Sequence, residues 1–261
     1  MGRNIVGNLK FKKIQEGGFD PMVFAAEVEK AYLADNRAGF TQKKTFAPST
    51  IGYGHGNCAR YWYMAFEGTE FEDNADAKAK ANMLNGTYVH DRLQTIMQKI
   101  PNDRIKEIER EMVKANPPIR GYSDLIVNWD GKEVIGEIKS AKDEVYSIRQ
   151  AKMQGSGNHQ LQLLIYMDIA DADQGFFFYE NKNDNDFLVI PINMTPANRQ
   201  LVDDTYEWLR EVYQAYEDKT IPNRGFTKSQ SACKYCPIRK TCWDKEAPAG
   251  EVFIESMVPP K

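Results

Sequence analysis

Three charged residues near the middle of the chain, Asp124, Glu137 and Lys139, carry the first chemistry that the sequence suggests. They flank Asp130-Gly131, a dipeptide that favours a two-residue hairpin because both positions tolerate positive φ. With that turn Trp129 pairs with Lys132, and continuing the ladder sets Asp124 opposite Glu137. Directly opposed side chains have Cβ atoms about 4.5–5.5 Å apart. Two carboxylates at that spacing repel, and a divalent cation between them turns the repulsion into attraction. Mg²⁺ and Mn²⁺ favour oxygen ligands of this kind. Lys139 shares Glu137's face of the strand, and Ile138 points away but keeps its backbone carbonyl available as a ligand. Ile126 and Ile135 accompany the carboxylates, while Leu125, Val127, Val134 and Ile138 line the other side, so the sheet is expected to be buried on both faces. Charges at the end of so apolar a strand are costly unless paired or metal-bound. The alternative is a surface Asp and Glu at a strand end with a Lys nearby by chance. The triplet alone does not decide, and the hairpin register favours the metal site.

The four cysteines are a second set. Cys233, Cys236 and Cys242 form a compact group, and Cys58 stands far upstream. Four thiolates can hold a tetrahedral Zn²⁺ or an iron–sulfur cluster, and spacing alone does not choose between them. Either would act as a staple, closing a very long loop and so limiting the unfolded chain.

Several elements must position these groups. Residues 24–33 have helical spacing, 40–57 read as a Gly-, Ser- and Thr-rich loop, and a short aromatic helix follows over 58–66. Residues 75–99 form a long helix that stops before Pro101. Strands are expected at 105–115, 119–129 and 132–141, a helix at 158–170, and two more strands at 175–179 and 187–192. Thr195 is a plausible N-cap with Pro196 at the first helical position, opening a helix to about Asp218. This order gives an α/β (α+β) class with a mixed central sheet flanked by helices. A single domain is expected, with an N-terminal helical part over 1–74, a core over 75–220, a cysteine segment over 221–245 and a tail over 246–261.

Composition narrows the function classes. The 261 residues are 42% hydrophobic and 27% charged, an ordinary globular balance that excludes a collagen, a rod or a wholly disordered chain. No stretch approaches the roughly 20 apolar residues of a membrane span. The opening MGRNIVGNLKFKK lacks the apolar core of a signal peptide, so a cytoplasmic location, prokaryotic or phage-encoded, is expected. A net charge of −3 excludes a uniformly basic nucleic-acid coat but not a local basic groove. Basic groups occur at Lys10, Lys12 and Lys13, at Lys43 and Lys44, at Lys142, Arg149 and Lys152, and at Lys234, Arg239 and Lys240. Tyr61, Trp62, Tyr63, Tyr235 and Trp243 lie near some of them. Most of these are expected to be ordinary solvated surface or packing around the cysteines. Gly52-x-Gly54-x-Gly56 is not followed by a GK[ST] and has no phosphate role, and no helicase motif is present.

The stretch GYSDLIVNWDGKEVIGEIKSAK resembles the core of the PD-(D/E)XK nuclease superfamily, with Asp124 as the first acid and Glu137-Ile138-Lys139 as (D/E)XK. Ser123 stands where the family name has proline. Gly86-Thr87-Tyr88-Val89-His90 resembles the GxxxH helix motif of the RecB-like branch, and Gln162-Leu163-Leu164-Ile165-Tyr166 its QxxxY motif. The four motifs follow one another in the family's order. CARYWY around Cys58 and CKYCPIRKTC at the other end are similar to the iron–sulfur members of that branch, which include AddB-type nuclease domains and the CRISPR-associated exonuclease family, the fourth Cas protein.

The resemblance implies a restriction-endonuclease-like fold and a metal-dependent DNA nuclease, an exonuclease on single-stranded ends. It implies Mg²⁺ or Mn²⁺ held by His90, Asp124, Glu137 and the Ile138 carbonyl, with catalytic roles for Asp124, Glu137 and Lys139. Gln162 and Tyr166 would orient Lys139 or contact the DNA backbone. It also implies a 4Fe-4S cluster on Cys58, Cys233, Cys236 and Cys242, with zinc second. The setting would be recombination, repair, phage replication or CRISPR adaptation, with a helicase or integrase partner and no membrane. The alternative is a DNA-end-binding adaptor in such a complex, with cleavage secondary; an RNA-directed relative is a third reading.

Overall fold

A computed structural model describes residues 19–35 and 42–257. Lys10, Lys12 and Lys13 lie outside the described residues. Helix α1 (Pro21–Ala34) starts at Asp20, whose carboxylate accepts from the Met22 and Val23 amides, with Pro21 in the first turn. It buries no residue and packs against α3. The loop from residue 42 ends in a 3₁₀ turn at Gly54–Asn57, and α2 (Ala59–Phe66) follows, buried along its whole length. Helix α3 (Ala77–Met97) is capped by Asp76, which accepts from the Ala79 amide.

Strands β1 (Ile105–Lys114), β2 (Ile119–Trp129) and β3 (Lys132–Ala141) form an antiparallel meander. The turn at Asp130 and Gly131 has φ of 52° and 85°, the left-handed pair that a two-residue turn of this hand requires. The register is therefore the expected one: Trp129 pairs with Lys132, Ile126 with Ile135 and Leu125 with Gly136. Helices α4 (Asp143–Lys152) and α5 (Gly157–Ile169) then cross over, so that β4 (Gln174–Asn181) returns parallel to β3. Strand β5 (Phe187–Asn193) pairs antiparallel with β4, and the sheet order is β1-β2-β3-β4-β5. Helix α6 (Pro196–Glu217) opens with the Thr195 hydroxyl accepting from the Asn198 amide, and the short helices α7 (Ser231–Lys234) and α8 (Arg239–Cys242) carry Cys233 and Cys242, with Cys236 in the turn between them. No described helix is long and apolar enough to cross a membrane.

Two clusters hold the sheet. Ile126, Ile135, Phe177 and Tyr179 pack against α2, α5 and α6 in the main core. On the other face Leu125 and Ile138 meet Leu93 and Met97 of α3. The alternation along β2 and β3 thus sorts the side chains as the sequence pattern requires.

Three expectations need correction. The sheet is not buried on both faces throughout. A helix about 10–12 Å wide cannot cover five strands spaced about 4.8 Å apart. A groove of about 540 Å³ therefore remains beside α3, lined by Val127, Val134, Phe178 and Val189 among others. Residues 251–257 are not a tail. Val252 bridges Pro222, Ile254 is buried, the Met257 amide donates to Asn57 and the Trp208 indole donates to the Glu255 carbonyl. Finally, α4 was not anticipated: it buries only Tyr146, has no side-chain cap, and so presents almost no apolar period.

Candidate active site

The β2–β3 ladder is last paired at Leu125 and Gly136, and at the next step a side chain takes over from the backbone. Asp124 Oδ2 accepts from the Ile138 amide at 2.7 Å, so the first acid is fixed by the strand that bears the second. Its other oxygen, Oδ1, lies 3.3 Å from His90 Nδ1. His90 reaches this point from α3, where Val89 on its N-terminal side packs into the Leu93–Leu125–Ile138 cluster. Burial is the largest single influence and opposes a charged His90, but the hydrogen bond to Asp124 together with the Asp124 and Glu137 charges holds the imidazole above its ordinary value.

Glu137 is 1% exposed and sits on the main-core face of β3. Its Oε2 accepts from Lys139 Nζ at 2.6 Å and from Gln162 Nε2 at 3.1 Å. Its Oε1 is buried with no hydrogen-bond partner. Burial, and then the neighbouring Asp124, push this carboxyl up to about 8 from 4.5. Burial works against the Lys139 charge, but Glu137 and Asp124 prevail and keep the ammonium above its usual range.

Gln162 and Tyr166 are four apart on α5 and both are buried. Gln162 therefore orients Glu137 directly and not Lys139. Tyr166 is pressed against Gly121 so closely that a Cβ there would fall 2.5 Å from the phenol oxygen. A buried phenol cannot touch DNA, so Tyr166 is a brace between α5 and β2, its hydroxyl kept protonated chiefly by burial. Tyr61, Trp62 and Tyr63 are buried as well, in the packing role expected for them.

The expected site residues gather at one end of β2 and β3, in two linked halves. His90 and Asp124 form one with Glu109; Glu137, Lys139 and Gln162 form the other. Ligand atoms of His90, Glu109 and Asp124 lie within 4.8 Å of one another. Glu109 was missed in the sequence. Ile108 pairs with Leu125 and Arg110 with Ser123, which sets Glu109 beside Asp124, and the Gln94 amide donates to both Glu109 Oε1 and the Asp124 carbonyl. Glu109 has φ of 52°, a left-handed conformation that is strained for a strand residue. The only sequence signal was the alternation Glu107, Glu109, Glu111 along β1. The β1–β2 connection, Ala115-Asn116-Pro117-Pro118, marks a turn but does not select one register, so the alternation could not be aligned with Asp124.

The residues present fit a hard divalent cation. The buried Glu137 Oε1 has no hydrogen-bond partner and is open to a cation, and the His90–Glu109–Asp124 cluster offers nitrogen and oxygen donors beside it. The four cysteines also come together, lining one small cavity with His55, Arg224 and Trp243. Among the described residues no three thiols have sulfurs within 4.8 Å of one another. Burial pushes the Cys236 thiol up to about 12 and raises Cys58 as well, so as free thiols they are neutral. The wholly buried Arg60 of α2 donates to the carbonyls of Pro222 and Pro248, tying α2 to the C-terminal part at this seam.

Sequence comparison agrees with this geometry. The PD-(D/E)XK nuclease superfamily profile matches residues 60–243, which spans every motif above except Cys58, and the chain belongs to that superfamily. It is thus a nuclease of a class that uses divalent metal ions. No curated protein sequence matches it. Among solved structures, it is similar to the crystal structure of SSO0001 at 17% identity, over 87% of this chain and 98% of that one, with a TM-score of 0.46. It is also similar to an alkaline exonuclease, LHK-Exo, from Laribacter hongkongensis at 13% identity, over 74% and 95%, with a TM-score of 0.49. The same enzyme in complex with dAMP matches at 13% identity, over 74% and 93%, with a TM-score of 0.44.

Proposed function

We propose that this protein hydrolyses DNA phosphodiesters as a metal-dependent exonuclease acting on single-stranded ends. The observation that carries the reading is the buried Glu137, with one oxygen unpartnered and the other on Lys139, one residue from the amide that fixes Asp124. Asp124, Glu137, His90 and the Ile138 carbonyl would hold Mg²⁺ or Mn²⁺, and Glu109 joins them as a further carboxylate. The ion supplies Lewis acidity, making water easier to deprotonate and offsetting charge on the phosphate.

The chain's own groups do the rest. Gln162 and Lys139 fix the Glu137 carboxylate, and the Ile138 amide fixes Asp124. Lys139 stays protonated, which favours its role as the cation that offsets charge on the phosphate over one as the base that takes a proton from water. Water forms the new bond to phosphorus as the bond to the 3′-oxygen breaks. That oxygen takes up a proton, leaving a 5′-phosphate and a 3′-hydroxyl.

We assign the cysteine cavity a 4Fe-4S cluster held by Cys58, Cys233, Cys236 and Cys242. With a tetrahedral zinc as the second reading, the likeness of the two cysteine segments to the iron–sulfur members of the RecB-like branch supports the cluster. Its role is a staple between α2 and the α7–α8 segment, because hydrolysis needs no electron. Preference for ends, and a helicase or integrase partner in recombination or CRISPR adaptation, rest on the likeness of the four motifs and the cysteine segments to the RecB-like branch.

The test is incubation of purified protein with end-labelled single-stranded DNA, duplex DNA and RNA, with and without Mn²⁺. Mn²⁺-dependent shortening of the single strand from one end is expected. Binding without cleavage under all conditions would refute the enzyme, and internal cuts would refute the exonuclease.

A further inference from the structure

Outside both metal sites, the cysteine segment borders a groove of about 630 Å³. Lys228, Lys234, Arg239, Lys240 and Lys245 line it, against only two carboxylates, Glu72 and Asp244. That sign is opposite to the net charge of −3 carried by the whole chain. Several surface cations elsewhere are paired, among them Lys80 with Asp73, Arg110 with Glu133, Arg120 with Glu111 and Lys219 with Glu67. Among the described residues none of the five groove cations has a carboxylate within 4 Å. Lys234 lies instead over the Tyr235 ring at 5.4 Å and Lys228 over Trp243 at 5.9 Å, and Arg239 Nε is buried with no hydrogen-bond acceptor.

Like charges gathered in one concavity repel one another, and a polyanion relieves that repulsion by releasing its counterions. The groove also carries an aromatic surface, since Tyr235 is 68% exposed. An exposed ring beside lysines is suited to an unpaired base, which offers its own flat face for stacking. Arg239 and Trp243 line both this groove and the thiol cavity, and the Trp243 indole donates to Cys233 Sγ at 2.9 Å. The cysteine staple therefore sets the groove's inner wall.

We propose that this groove anchors a single nucleic-acid strand away from the carboxylate centre. Lys228, Lys234, Lys240 and Arg239 hold the phosphates, and one unpaired base stacks on Tyr235. The anchor rests on the nuclease reading for its purpose, though binding can be measured without cleavage.

The experiment is fluorescence anisotropy of labelled oligothymidylate with the full-length protein in EDTA across a salt series. Wild type is compared with the double variant Lys234→Ala/Lys240→Ala and with Tyr235→Ala. Losing two phosphate contacts makes the log–log salt slope shallower by about 1.4, at about 0.7 per phosphate on a single strand. Tyr235→Ala weakens binding at least about fivefold, the lower end for one stacked base, with the slope unchanged. Mn²⁺-dependent hydrolysis of bis(p-nitrophenyl) phosphate, too small to span both places, stays at the wild-type rate in all three. Unchanged affinity and slope in the variants would overturn the anchor, and so would loss of hydrolysis of the small ester, which would put the groove in the catalytic centre. Wild-type protein that binds through these residues but hydrolyses nothing would support the anchor and refute the nuclease reading.

Discussion

Glu137→Gln isolates the electrostatic cost at the carboxylate centre. Without metal, burial and Asp124 raise the Glu137 carboxyl from 4.5 to about 8, so the folded chain holds a proton that the unfolded chain releases. For an acid with a raised folded value, stability is greatest below 4.5 and falls as pH rises to about 8, beyond which it is constant. At pH 7 this burden is about 3 kcal/mol, at about 1.36 kcal/mol per pH unit. Glutamine keeps the shape of the neutral acid and carries no such burden. It also leaves Lys139 with Asp124 as its nearest anion, which returns part of the gain. The net expectation is a variant about 1–3 kcal/mol more stable than wild type at pH 8 in EDTA, with the gap nearly closed at pH 5. Urea unfolding at the two pH values measures it. Adding Mn²⁺ reverses the order, because a ligand at a thousand times its Kd stabilises wild type by about 4.1 kcal/mol and finds a broken site in the variant. A variant less stable than wild type at pH 8 in EDTA, or a gap that is the same at both pH values, would refute the reasoning.

Lys139→Ala removes the ammonium on Glu137 and should abolish cleavage while DNA binding, followed by anisotropy, stays within about twofold; retained cleavage would remove its assigned role. His90→Ala and Glu109→Ala should each raise the Mn²⁺ concentration needed for half-maximal cleavage by about tenfold or more, and unchanged metal titrations would reduce both to structural residues. Cys236→Ala should give colourless, poorly soluble protein, as read by absorbance and iron content, whereas a soluble, brown and fully stable variant would contradict the staple.

Local chemistry that fixes geometry outright was legible in the sequence. Asp130-Gly131 set the β2–β3 register, and that register placed Asp124 and Glu137 at one end of the sheet. Thr195 and Pro196 opened α6 at the expected residue. That Gln162 belongs at this end of the sheet followed only from the order of motifs, and its bond to Glu137 in place of Lys139 was not legible, because it depends on how α5 lies across β3. What escaped depends on contacts between distant segments. Glu109 required the register of β1, which no turn residue encodes, together with a strained backbone at that residue. Residues 251–257 include Val252, Phe253, Ile254 and Met257, but so short an apolar run carries no helix or strand period, and Ile254 docks into a core assembled from remote segments. The open groove beside α3 reflects the width of one helix against five strands, a ratio that residue patterning along β2 and β3 does not reveal.

The central claim is that one divalent ion joins the two halves of the carboxylate centre. Anomalous diffraction from Mn²⁺-soaked crystals tests it most directly. The expected result is a single strong peak bonded at about 2.1–2.2 Å to oxygens of both Asp124 and Glu137. No peak there, or an ion held by His90, Glu109 and Asp124 while Glu137 stays on Lys139 and Gln162, would contradict it.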